Sequence, residues 1–139
     1  PGAYAEFVAV PFDHNLVHLP ENMSPALAAG LGCRVTTDWH ALTDRANLRA
    51  GEWVAVHGTG GIGLSALLLA KMLGARVVVV DVVKEKLAHA RHLGADAAVN
   101  ALQGDVAATI RYITSGGTQV SIEALGHEIT TNGEARLIP

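Results

Sequence analysis

The sequence predicts an α/β fold organised as a doubly wound parallel sheet, and three observations lead there. From about Glu52 onward, strand-like and helix-like segments alternate with short links, an order that suits parallel strands joined by right-handed crossovers. Val77-Val78-Val79-Val80 is an unbroken β-branched run, the mark of a strand covered on both faces. Aromatic residues make up only 4% of the chain while Ala, Val, Leu and Gly are abundant, which fits central strands sandwiched between helices.

The elements follow in order. Tyr4-Ala5-Glu6-Phe7-Val8-Ala9-Val10 reads as a strand closed by Pro11, because Tyr, Phe and Val favour a pleated surface. Leu16 to Pro20 reads as a short extended piece. Ser24-Pro25 is a helix start: Ser can cap free N–H groups, and Pro at the first position has none to lose. Gly30 and Gly32 should break or kink that helix, and a second helical stretch is expected from about Val35 to Ala46. Glu52 to His57 is the next strand. Ile62 to Leu73 is a helix, apolar nearly all round and therefore covered on most sides, and Gly74 stops it. The strand Arg76 to Val80 follows, then an amphipathic helix from Lys84 to Leu93. Ala97-Ala98-Val99 is a short third strand of this region. Val106, Ile110 and Ile113 mark one face of a further helix, and Gln119 to Ala124 is the fourth strand.

Composition narrows the function classes. Half of the 139 residues are hydrophobic and 17% are charged, which supports a buried core. A net charge of −3 without a basic run argues against nucleic acid as a partner. No apolar stretch reaches the roughly 18 residues of a membrane span, and Pro1-Gly2-Ala3-Tyr4 does not resemble a signal peptide. Cys33 is the only cysteine, so no intrachain disulfide can form, and a cytoplasmic location is expected.

Gly58-Thr59-Gly60-Gly61-Ile62-Gly63 carries the strongest chemical signal, a glycine fingerprint between a strand and a helix. Gly58 permits the tight turn, Gly60 lets a pyrophosphate approach the backbone, and Gly63 allows close packing of helix on strand. Free N–H groups at Gly61 and Ile62 and the positive helix end favour phosphate. A bare glycine-rich turn without ligand would weaken the unit for no packing gain. Asp81 ends the second strand of this region about 20 residues beyond the glycines, the place where a carboxylate accepts from ribose hydroxyls and repels a 2′-phosphate. With Val82 and Val83 following and no Arg to receive that phosphate, the pattern favours NAD over NADP. The fold expected is thus Rossmann-like, truncated after about four strands.

The stretch Gly32-Cys33-Arg34-Val35-Thr36-Thr37-Asp38-Trp39-His40-Ala41-Leu42, followed by Val54 to Ser65, resembles the medium-chain zinc-dependent alcohol dehydrogenases, and the likeness runs from Gly2 to about Gly126. The resemblance implies a short remnant of a GroES-like catalytic domain over residues 1–23, a connecting helical segment over 24–50 and an NAD-binding domain over 51–139. It implies that Cys33 is the third protein ligand of a catalytic zinc, that Thr37 lies against the nicotinamide, and that Lys86 contacts the adenosine ribose. Ala124, Leu125 and Gly126 resemble the end of the fourth strand near the cofactor. The other zinc ligands and the structural zinc cysteines of the family have no counterpart in this sequence, and one cysteine cannot hold a catalytic zinc alone. His14, His18 and His40 do not match the missing ligands.

The intact parent is expected to move a hydride between a small alcohol or aldehyde and NAD, with zinc present in that parent only. The isolated chain is expected to bind NAD(H) without catalysis. A zinc-independent quinone-reductase-like member is the alternative, and a flavin or S-adenosylmethionine site is a more distant one. The exposed edge of the strand Gln119 to Ala124 is expected to recruit other copies of the chain.

Overall fold

A computed structural model of the chain describes residues 4–126. Helix α1 spans Pro25–Leu31, with the Ser24 hydroxyl accepting from the Leu27 N–H at 3.2 Å, the cap that Ser-Pro announces. Helix α2 covers Arg34–His40 and passes into a wider π-helical turn over Ala41–Arg45. Then come β1 (Trp53–His57), α3 (Gly61–Met72), β2 (Arg76–Asp81), α4 (Lys84–His92), β3 (Ala97–Asn100), α5 (Val106–Thr114) and β4 (Val120–Glu123).

All strand pairs are parallel and the order is β3-β2-β1-β4. Val54, Val56, Val77 and Val79 point to one face, where they pack with Leu67 and Ala70 of α3, Leu87 and Ala90 of α4, and Leu42. Trp53, Ala55, Val78, Val80 and Val99 point to the other face, against Ala107 and Ile110 of α5. The valine run is buried on both sides because residues of one strand alternate between two covered faces. The chain winds outward from β1 to β3, then α5 carries it back across the opposite face to β4. The winding therefore reverses between β1 and β4, and a doubly wound sheet opens its ligand crevice at the carboxyl ends of such strands.

One expectation in the first 50 residues is corrected. Tyr4 to Val10 forms no strand, and Tyr4, Phe7 and Val8 are exposed. Strand propensity needs a neighbouring strand to satisfy the backbone, and none lies beside this segment among the described residues. The interruption expected at Gly30 and Gly32 is found at the second of them: α1 runs through Gly30 to Leu31 and is capped by Gly32. Gly32 keeps right-handed helical angles (φ −52°, ψ −61°), and α2 restarts at Arg34. The absence of a Cβ makes a helical glycine less favourable but not forbidden.

Candidate functional site

The glycine turn lies at the carboxyl end of β1, where the winding reverses. Gly58 has φ +91°, which L side chains rarely adopt, and its N–H donates to the Val80 carbonyl at 2.8 Å. A Cβ on Gly63 would lie 1.8 Å from the Gly58 carbonyl oxygen, so this glycine is required for α3 to seat on the turn. Around Gly60, by contrast, a Cβ would meet nothing within 4 Å. That open space is what a phosphate needs, and the backbone supplies donors beside it: the N–H groups of Gly60, Gly61, Ile62 and Gly63 make no hydrogen bond among the described residues.

Asp81 closes the turn from the end of β2. One carboxylate oxygen accepts from the Thr59 N–H at 2.8 Å and the Thr59 hydroxyl at 2.7 Å. The other accepts from the N–H groups of Val82 at 2.8 Å and Val83 at 3.0 Å. Burial works to raise the Asp81 pKa, but these four donors outweigh it and hold the carboxyl below its ordinary 3.8. The side chain is thus an anion at neutral pH with about four lone-pair sites already engaged. The sequence pointed to Asp81 as a partner for a ribose and missed Thr59. In the structure the same carboxylate organises the glycine turn through Thr59.

Helix α2 packs against α3. Asp38 is buried, 1% exposed, and accepts from the Ser65 hydroxyl of α3 at 2.6 Å. Burial pushes its carboxyl above the ordinary 3.8, against the lowering effect of the Ser65 bond. Sequence reading gave Asp38 no role; the signal available was the matching four-residue spacing of Arg34 and Asp38 on α2 and of Gly61 and Ser65 on α3. Cys33 and Thr37 are exposed, and the Thr37 hydroxyl donates to the Cys33 carbonyl at 2.6 Å. Lys86 is exposed on α4, and its side chain makes no hydrogen bond or ion pair among the described residues. His57 is buried beside the turn, 3% exposed, with Nε2 lacking a partner. Burial lowers its pKa below 6.5, partly opposed by Glu123 on β4, with which it shares a register position.

No group of three or more His, Cys, Asp or Glu could hold a metal ion among the described residues, and the residues present do not fit a zinc ion. No helix among them is long and apolar enough to cross a membrane.

A parallel sheet that reverses its winding at a glycine turn, with an acidic residue ending the adjacent strand, defines a Rossmann-like nucleotide-binding domain. Residues 61–137 match the family described as zinc-binding dehydrogenase, and the chain belongs to that family. It is 42% identical over 104 residues to an alcohol dehydrogenase of Geobacillus stearothermophilus, covering 75% of this chain and 30% of that protein. An alcohol dehydrogenase of an Aspergillus species is 36% identical over 129 residues, 93% of this chain and 38% of its own length. Among solved structures, an alcohol dehydrogenase zinc-binding domain protein from Burkholderia ambifaria superposes with TM-score 0.82 at 32% identity, over 86% of this chain and 33% of that one. A Pseudomonas syringae quinone oxidoreductase superposes with TM-score 0.83 at 30% identity, over 89% of this chain and 38% of that one. The chain spans about a third of the length of the relatives it matches.

Proposed function

We propose that this chain is the NAD(H)-binding domain of an alcohol dehydrogenase-like oxidoreductase. The observation that carries the reading is the open space at Gly60 bordered by unpaired N–H groups of Gly60, Gly61 and Ile62. In this reading the turn Gly58–Gly63 cradles the pyrophosphate, and Asp81 accepts from the adenosine ribose while Thr59 yields part of its bond. Lys86 and Thr37 are assigned to the ribose and the nicotinamide by resemblance alone. A bound nicotinamide would supply hydride acceptance and donation; the residues described here hold and orient it. Cys33 is proposed as a zinc ligand only in a whole protein that supplies the other ligands, and no step of this domain depends on it. Exchange of hydride with a small alcohol or aldehyde is likewise proposed for the whole protein, on the names of its relatives. A reducing cytoplasmic setting is consistent with a free, exposed Cys33.

A second reading, a zinc-independent quinone-reductase-like protein, draws support from the Pseudomonas syringae quinone oxidoreductase neighbour. Both readings need the dinucleotide site. Fluorescence titration with NADH and NADPH tests it: NADH should bind at least tenfold more tightly, because the anionic Asp81 repels a 2′-phosphate. Tighter binding of NADPH would remove the ribose role of Asp81, and failure of both to bind would remove the proposed function.

A further inference from the structure

Arg34 opens α2, and its side chain lies across the start of α3. A Cβ on Gly61 would sit 2.9 Å from the Arg34 Nε and 3.0 Å from Cζ, so the guanidinium occupies the room this glycine leaves. On its own helix the ordinary partner of Arg34 would be Asp38, one turn further on. That carboxyl is instead buried and bound to the Ser65 hydroxyl at 2.6 Å. Among the described residues no carboxylate lies within ion-pair distance of Arg34.

A cation without a counter-charge therefore rests on the amino end of a helix. That end is itself positively polarised, and its first N–H groups are unpaired. Like charges repel, so the arrangement gains free energy when an anion joins it. The planar guanidinium fork matches a phosphate, with two parallel N–H donors to two oxygens.

We propose that Arg34 is a phosphate-binding residue of this site. With a dinucleotide on the glycine turn, its guanidinium grips the pyrophosphate from the α2 side while the N–H groups of Gly60, Gly61 and Ile62 hold it from α3. The inference rests on the reading of the turn as a dinucleotide site and adds a side chain that no fingerprint position supplies. It also gives Asp38 a purpose: a carboxyl turned to Ser65 does not neutralise Arg34.

The test compares the full chain with Arg34→Gln and Arg34→Lys, titrated with NADH and with ADP-ribose at low and high salt. The Arg34 side chain is exposed and makes no hydrogen bond among the described residues, so all three proteins should melt alike. Arg34→Gln should weaken both ligands about tenfold at low salt, equal to about 1.4 kcal/mol, with Arg34→Lys in between. The gap should narrow at high salt, where the charge is screened. Equal affinity of the parent chain and Arg34→Gln, or a loss that is the same at every salt concentration, overturns the role of Arg34 and leaves the glycine-turn reading standing. If the parent chain itself binds neither ligand, that reading fails and the inference with it.

Discussion

Gly60 and Gly63 stand three residues apart in one fingerprint, yet the structure gives them opposite physical roles, and two single substitutions separate them. In Gly63→Ala the new methyl would lie 1.8 Å from the Gly58 carbonyl oxygen, 2.9 Å from its carbon and 3.2 Å from Val56 Cγ1. Ordinary carbon contacts begin near ~3.5 Å, and the main obstacle is backbone, which cannot rotate aside. Overpacking of this kind costs about 3 kcal/mol or more when no side chain can yield. Alanine recovers up to about 1 kcal/mol of helix propensity. The net loss is then about 2 kcal/mol or more, a fall in Tm of roughly 5 °C or more. In Gly60→Ala nothing lies within 4 Å of the new methyl and φ is −81°, so folding is nearly unaffected. The change at this helix-capping position should stay within about 1 kcal/mol. Its methyl instead fills the space reserved for phosphate, so NADH affinity should fall at least tenfold. Circular-dichroism melting and NADH titration of both variants measure the two effects. A Gly63→Ala protein that melts with the parent would refute the packing argument, and a Gly60→Ala protein that binds NADH normally would refute the cradle.

Three further outcomes follow from the same geometry. Thr59→Val removes the hydroxyl that donates to Asp81 at 2.7 Å, a bond to a charged acceptor that contributes about 2 kcal/mol. The Asp81 carboxyl is depressed below 3.8, so its contribution is present above that value and lost as pH falls through the folded pKa. In Thr59→Val that contribution should shrink and disappear at a higher pH, read as Tm against pH; an unchanged acid profile would contradict the bond. His57 is held neutral below its ordinary 6.5, so stability should decline as pH falls below that value, while the unfolded chain takes up a proton that the folded one refuses. His57→Leu should flatten that part of the Tm profile, and a profile identical to the parent's would show the ring is not buried neutral. Finally, β4 is the last strand in the order β3-β2-β1-β4 among the described residues. Light scattering should show mass rising with concentration; a constant monomer mass would argue that the edge is covered.

The sequence by itself determined the alternation of strands and helices, because hydrophobic period and helix-stopping glycines are local properties of the chain. Val77 to Val80 announced a strand covered on both faces, and the burial of Val77 to Val80 agrees. The glycine turn was legible for the same reason: backbone freedom is a property of residue type, and Gly58 and Gly63 are glycines on account of atoms within a few residues or on the adjoining strand. Propensity misled where satisfaction depends on a distant partner. Tyr4 to Val10 has strand-forming side chains but no neighbouring strand among the described residues.

What only the tertiary structure decided are the pairings across elements, since each depends on two segments whose distance the sequence does not encode. Thr59 occupies a variable position of the fingerprint, and its bond to Asp81 exists because β1 and β2 lie side by side. Asp38 meets Ser65 because α2 packs on α3, and the same packing lays the unpaired charge of Arg34 against Gly61. His57 reads as one more strand residue until folding buries its ring and leaves Nε2 without a partner among the described residues. Local periodicity fixes which segments form, while the direction of a carboxylate or guanidinium is set by whichever surface folding presses against it.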